Sequence, residues 1–297
     1  MRRFKIGLYG NLILDRTFSV REYSANQSNV CHQKNTSPGG IANVLYAVTD
    51  LESSCEISVS SAIGSDEAGN YISRWLSTFQ KLNPFVGLDL DIEKRPGPTS
   101  EAVIISETDK GMRSSIVSWG ACTEINTLKC HDKDWCHILY ADKLPDIDIS
   151  SLKKLSQNSV ISIDLCSSNF GEKVRSKIED MLPYVDVVFG SYEEGMCLAN
   201  KSSIDSAAEA ISKLSRGSVV LHSPEESTYV PKDHTKARKF KNVKVLDGPL
   251  NVLGAGDMFA SGFMVSSLRG NDLSQSIALA HEYVYSVLKK RQANVKV

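Results

Sequence analysis

Apolar runs of strand length alternate with helical segments through most of this chain, and that rhythm constrains the fold more than any single motif. Phe4 to Tyr9, Ile57 to Ile63, His137 to Tyr140, Val160 to Ile163, Val185 to Phe189 and Val219 to Leu221 read as strands. Gly40 to Leu51, Tyr71 to Leu82, Ile149 to Leu155, Val174 to Leu182 and Leu273 to Lys290 carry apolar residues at helical spacing. Such alternation predicts parallel βαβ units covered on both faces. Two stretches break it: residues 12–37 and 95–120 are rich in strand character without helices between. In the second, Val103-Ile104-Ile105 and Ser114 to Val117 flank Asp109-Lys110-Gly111 as a hairpin would. The expected architecture is α/β. A central, mostly parallel sheet flanked by helices comes from residues 1–11, 38–94 and 121–297, and a small β-sheet lid from 12–37 and 95–120.

In sheets of this kind ligands sit beyond the carboxyl ends of the strands. Asp15, Gly39, Gly40 and Asp164 all fall near expected strand exits or helix entries. With 297 residues and a formal net charge of −1, there is room for one large α/β domain and no electrostatic case for nucleic acid or an acidic membrane. No apolar run approaches the roughly 18–20 residues that span a bilayer. The basic start Met1-Arg2-Arg3 leads into a first strand rather than a signal peptide. Seven cysteines without a framework point to free thiols and a reducing cytoplasm.

The most informative short run is Asn251-Val252-Leu253-Gly254-Ala255-Gly256-Asp257. A glycine-rich turn entering a helix directs unpaired N–H groups outward, and the helix dipole adds positive charge there. That is a phosphate site, although the same four residues also suit an ordinary helix start with an acidic first turn. The glycines are not followed by Lys-Ser/Thr, which excludes a Walker A loop. An acid beside an anion site has a purpose if it takes a proton from a hydroxyl attacking phosphorus. Earlier, Pro38-Gly39-Gly40-Ile41-Ala42-Asn43 opens a helix. Paired glycines allow close backbone approach, and Asn43 offers a donor and an acceptor to a polyol. Asp15 is placed to accept from sugar hydroxyls, or is a solvated turn acid.

Assembled, these features make the chain resemble the ribokinase-like carbohydrate and nucleoside kinases of the PfkB family over nearly its whole length. The resemblance rests on Gly39-Gly40 with Asn43, on Gly64-Ser65-Asp66-Glu67-Ala68-Gly69, and on Gly254 to Asp257. It also rests on Gly111-Met112-Arg113-Ser114 in the lid, and on Gly120-Ala121-Cys122 and Tyr184 to Gly190, which are similar to the adenosine-kinase-like branch. It implies a kinase that moves the γ-phosphoryl group of ATP to a primary hydroxyl of a sugar, with a nucleoside as the alternative acceptor. By resemblance Asp257 is the base, and the N–H groups of Gly254, Ala255 and Gly256 form the anion hole. Asp15, Gly39, Gly40, Asn43 and Arg113 bind the acceptor. Glu194 organises magnesium, and Ser191, His222, Ser223 and Asn251 join Gly254 and Gly256 on the nucleotide side.

The departures lie on that nucleotide side. Asn251 and Val252 replace the usual Asp-Thr, which argues against potassium activation. Ser191 replaces the Asn of Asn-x-x-Glu, and Leu221-His222-Ser223-Pro224-Glu225-Glu226 lacks the glycines of the usual strand-turn. A further reading is therefore a family member weakened in catalysis that acts as a ligand-binding or regulatory protein. A nucleoside would need an aromatic slot, for which Trp119, Tyr9 and Phe18 are candidates. A phosphosugar would need cations, for which Arg95, Arg113 and Lys34 are the sources. Cys130-His131 and Cys136-His137 do not have zinc spacing, and Lys232 to Lys244 reads as a solvated β-edge. Exposed lid strands suggest a homodimer.

Overall fold

The computed structural model describes residues 3–110, 112–125, 132–144, 147–166, 171–233, 235–246 and 250–295. Gly111 of the expected hairpin and the Cys130-His131 pair lie outside the described residues. In chain order the elements begin with β1 (Lys5–Tyr9), β2 (Leu12–Val20), β3 (Gln33–Gly40), α1 (Ile41–Leu51), β4 (Glu56–Gly64) and α2 (Glu67–Leu82). Then come β5 (Gly87–Arg95), β6 (Ser100–Glu107), β7 (Met112–Ser118), β8 (Trp135–Leu139), α3 (Ile149–Leu155), β9 (Val160–Asp164) and α4 (Glu172–Met181). The chain continues with β10 (Val187–Ser191), α5 (Tyr192–Ala199), α6 (Ile204–Ser212), β11 (Ser218–His222), β12 (Glu226–Val230), β13 (Arg238–Lys241), α7 (Ala255–Leu268) and α8 (Leu273–Val295).

Nine strands form the larger sheet in the order β13-β12-β11-β10-β9-β8-β1-β4-β5, parallel except for β12 and β13. Side chains alternate across a strand, so neighbours along each strand enter different cores. Ile6, Leu8, Val59, Trp135, Phe189 and Val220 pack in one cluster with α1, α2, α7 and α8. Tyr9, Cys136, Ile138, Ile161, Val188 and Val219 pack in the other with α3 to α6. Helices on both faces explain why these strands read as unbroken apolar runs.

The smaller sheet has the order β3-β2-β6-β7. Its inner face is a separate apolar patch of Ile13, Ala102 and Ile104, against which Trp119, Tyr140 and Leu253 pack. β2 leaves the larger sheet directly after Gly10-Asn11, so Asp15 stands inside a strand opposite Ser37 and Ala102, 6% exposed. The alternative of a solvated turn acid is thereby excluded. β3 ends at Gly40, where α1 begins, so Gly39 and Gly40 close the smaller sheet rather than open the larger one. The chain returns to the smaller sheet past Asp66, whose carboxylate accepts from Thr99 N at 2.8 Å and Thr99 Oγ1 at 2.5 Å while capping α2.

Candidate active site

The carboxyl ends of the parallel strands and the inner face of the smaller sheet enclose a cavity of about 700 Å³. Three helices, α1, α5 and α7, begin at it, and two of them start from glycine. α1 starts from Gly40 (φ 63°) and α7 from Gly254 (φ 73°), both left-handed, and no side chain caps either helix. Only glycine adopts that conformation without strain. At Gly40 a Cβ would also strike the Asn11 carbonyl.

Asp257 is the third residue of α7 and is 9% exposed. Its Oδ2 accepts from Asn43 Nδ2 at 2.8 Å. Burial pushes its pKa up to about 7, the Asn43 hydrogen bond opposes this, Asp15 and Glu194 add to it, and Arg113 lowers it. Burial likewise lifts Asp15 to about 7, against the pull of Arg113. Asp164 and Glu194 are both raised, first by burial and then by neighbouring carboxylates. Arg113, which acts on Asp15 and Asp257, lines the cavity from β7, a strand exposed along its whole length.

The expected residues do not all arrive together. Asp15, Gly40, Asn43, Arg113, Ser191, Glu194, His222, Ser223 and Gly254 to Asp257 line the cavity. Gly39 does not line it; it backs the Asp15 carboxylate so closely that a Cβ would overlap it. Asn251 is exposed and outside the lining, with its Oδ1 accepting from Leu253 N at 3.2 Å. Ala255 cannot serve an anion hole through its amide, because that N–H donates to the Val252 carbonyl at 3.0 Å. The α7 amides without a carbonyl partner among the described residues are Gly256 and Asp257. The Gly254 amide is likewise unpartnered there.

Ser191 and Glu194 form a capping box at the start of α5: Ser191 Oγ accepts from Glu194 N at 3.2 Å, and Glu194 Oε2 accepts from Ser191 N at 2.7 Å. Glu194 thus reaches the cavity with one oxygen already committed. His222 lies against Phe259 with ring centroids 4.5 Å apart, and Phe259 lies against His281 at 5.0 Å. Burial holds both histidines neutral, near pKa 4.

Sequence reading missed the lining residues Tyr140 and Cys166, while Asp164 lies at a strand exit as expected. Tyr140 and Cys166 follow β8 and β9 with positive φ of 53° and 52°, and Asp164 ends β9. Their signal was position alone, at the ends of parallel strands. Trp119 does line the cavity, edge-on to Tyr140 at 5.4 Å. Tyr9 is core, its hydroxyl donating to the Ile125 carbonyl, and Phe18 is covered by Lys34 instead. Neither lines the cavity, nor do Arg95 and Lys34, so Arg113 is the cation of the smaller sheet found there.

A family model described as "pfkB family carbohydrate kinase" matches residues 4–296. The chain belongs to the pfkB family of carbohydrate kinases. A curated relative, adenosine kinase of Schizophyllum commune, is 32% identical over 120 residues, 35% of this chain and 35% of its own length. The chain spans little more than a third of the length of the curated relatives it matches. Adenosine kinase of Anopheles gambiae, solved with P1,P4-di(adenosine-5) tetraphosphate, superposes with TM-score 0.80 at 16% identity, covering 100% of this chain and 99% of that one. Ribokinase of Thermotoga maritima superposes with TM-score 0.71 at 17% identity, covering 99% and 100%. These two share the fold. Among the described residues no helix is long and apolar enough to cross a membrane.

Proposed function

We propose that this pfkB family member is a phosphotransferase that moves the γ-phosphoryl group of ATP to a primary hydroxyl of a ribose-bearing acceptor. One observation carries this: a buried carboxylate, Asp257, sits in an uncapped helix N-terminus beside free amides, in a cavity it shares with Asp15, Asn43 and Arg113. Asp15 and Asn43 hold the acceptor hydroxyls. The Gly254, Gly256 and Asp257 amides face the phosphoryl oxygens as charge develops on them. The acceptor oxygen takes the phosphoryl group and gives its proton to Asp257, and the leaving oxygen departs with ADP. A carboxylate suffices as the base because proton removal is late in phosphoryl transfer. The smaller sheet covers the acceptor and keeps water out.

The residues fit a metal–nucleotide donor. Five carboxylates and two cations line the cavity (Asp15, Asp164, Glu193, Glu194 and Asp257 against Arg113 and Lys244), so a bare triphosphate would be repelled. Among the described residues no three side chains converge to hold a metal by themselves. That suits magnesium, which binds through one or two carboxylates, waters and substrate phosphates. Glu194 is the residue to hold it, and the ion supplies charge neutralisation at the phosphates.

A nucleoside is favoured over a free sugar by the patch of Ile13, Ala102, Ile104, Trp119, Tyr140 and Leu253, which a monosaccharide would leave uncovered. The adenosine kinases among the relatives support the same choice. ADP release from magnesium-ATP, measured across nucleosides and free sugars, tests the reading. Acceptor-dependent release that disappears in Asp257→Asn supports it. Tight acceptor binding without release would instead identify a ligand-binding protein.

A further inference from the structure

Two of the helices that begin at the cavity, α1 and α7, are built alike. Each begins at an uncapped left-handed glycine, and each presents its third residue to the other: Asn43 from α1 and Asp257 from α7. These side chains, 214 positions apart in sequence, meet at 2.8 Å. The start of α7 is shaped around that contact, for a Cβ on Gly254 would stand 3.0 Å from Asn43 Nδ2.

Resting on the kinase reading, we propose that Asn43 is a positioning residue for Asp257, holding one carboxylate oxygen so that the other is left for the acceptor hydroxyl. This goes beyond the hydroxyl-binding role its place after the paired glycines suggests. A primary amide suits the task. It donates to the ionised carboxylate, and it adds no charge to a cavity already rich in acids. Asp15 on β2, Glu194 on α5 and Arg113 on β7 act on Asp257, and Asp257 in turn raises Tyr140 after β8, Asp164 on β9 and Cys166 beyond it. Arg113 is the cation among them, and it is shared with Asp15. Asn43 is therefore the neutral donor that favours the basic form of Asp257 against burial and its neighbours.

The test compares wild type with Asn43→Ala and Asn43→Ser; serine keeps a residue suited to a helix start should alanine fail to fold. The first readout needs no turnover. Carbon-13 NMR follows aspartate carboxyl titrations, with Asp257 assigned by its loss in Asp257→Asn. The Asp257 midpoint is expected to rise by about one unit in both variants. The second readout is the pH profile of kcat with the acceptor found by the panel. The acidic limb is expected to move up by the same unit, with kcat about fivefold lower at pH 7 and recovered at high pH, and with donor KM unchanged. An unmoved midpoint overturns the proposal. So does a profile in which acceptor KM rises and the limb stays in place, the mark of a group that binds hydroxyls only. If wild type turns over no acceptor, the kinase reading fails, while the NMR titration still decides the Asn43–Asp257 link.

Discussion

The two halves of the cavity are held in different ways. On the acceptor side Asn43 is bonded to Asp257, the Asp15 carboxylate is packed onto Gly39, and Arg113 faces both acids. On the side proposed for the donor the walls are Pro224, Val245, Leu250, Val252, Val284 and Leu288, with two neutral histidines against Phe259, His222 tilted and His281 edge-on. On the proposed reading, fixed side-chain hydrogen bonds meet the acceptor, while apolar walls, the amides of α7 and Glu194 meet the donor. Substitutions should therefore act sharply on one side and mildly on the other.

The largest effect belongs to the point where the halves meet. Asp257→Asn should lower kcat by about 10³-fold, within the range expected for loss of a general base. Rapid-quench measurement of phosphoryl transfer under saturating acceptor checks this, and acceptor binding by calorimetry should survive. Next, Asp15→Asn should raise acceptor KM by about 10–100-fold through loss of charged hydrogen bonds, with donor KM unchanged. Equal changes in both constants would erase the division.

Stability offers a third test. The folded pKa of Asp257 is raised to about 7 from the ordinary 3.8, so in this window the folded state binds more protons than the unfolded one. Its contribution is present below about pH 4 and is lost as pH rises through 7. Asp257→Asn should therefore be more stable than wild type by about 1–3 kcal/mol at pH 8, and the advantage should shrink towards pH 4. Urea unfolding of both proteins at the two pH values checks the sign. The smallest effect is expected on the donor side. His222→Thr combined with Pro224→Gly should lower donor KM by about threefold to tenfold, up to about 1.4 kcal/mol, and leave acceptor KM alone.

How much of this was legible in the sequence follows the same division. Gly254 to Asp257, Gly39-Gly40 and Asn43 announce themselves because uncapped helix starts demand glycine and because short polar residues follow them. Strand β5 also carried a signal, Leu88, Leu90 and Ile92 alternating with acids, yet it was not read as a strand of the core segment 38–94. The donor side was harder. Ser191-x-x-Glu194 reads as a metal motif with a lost asparagine, yet physically it is a capping box that any Ser and Glu at this spacing can make. Asn251 reads as a site residue by its place in the motif, yet it bonds its own turn. Tyr140 and Cys166 were invisible because left-handed backbone at a strand end leaves no mark when the residue is not glycine.

Gly40 is at once the last residue of β3 and the residue from which α1 begins. The smaller sheet and the helix that carries Asn43 thus share one articulation, with no slack chain between them. A tilt of the sheet would therefore be carried to Asn43 and its bond to Asp257. On the proposed kinase reading, shutting the compartment and setting the base would then be one mechanical event.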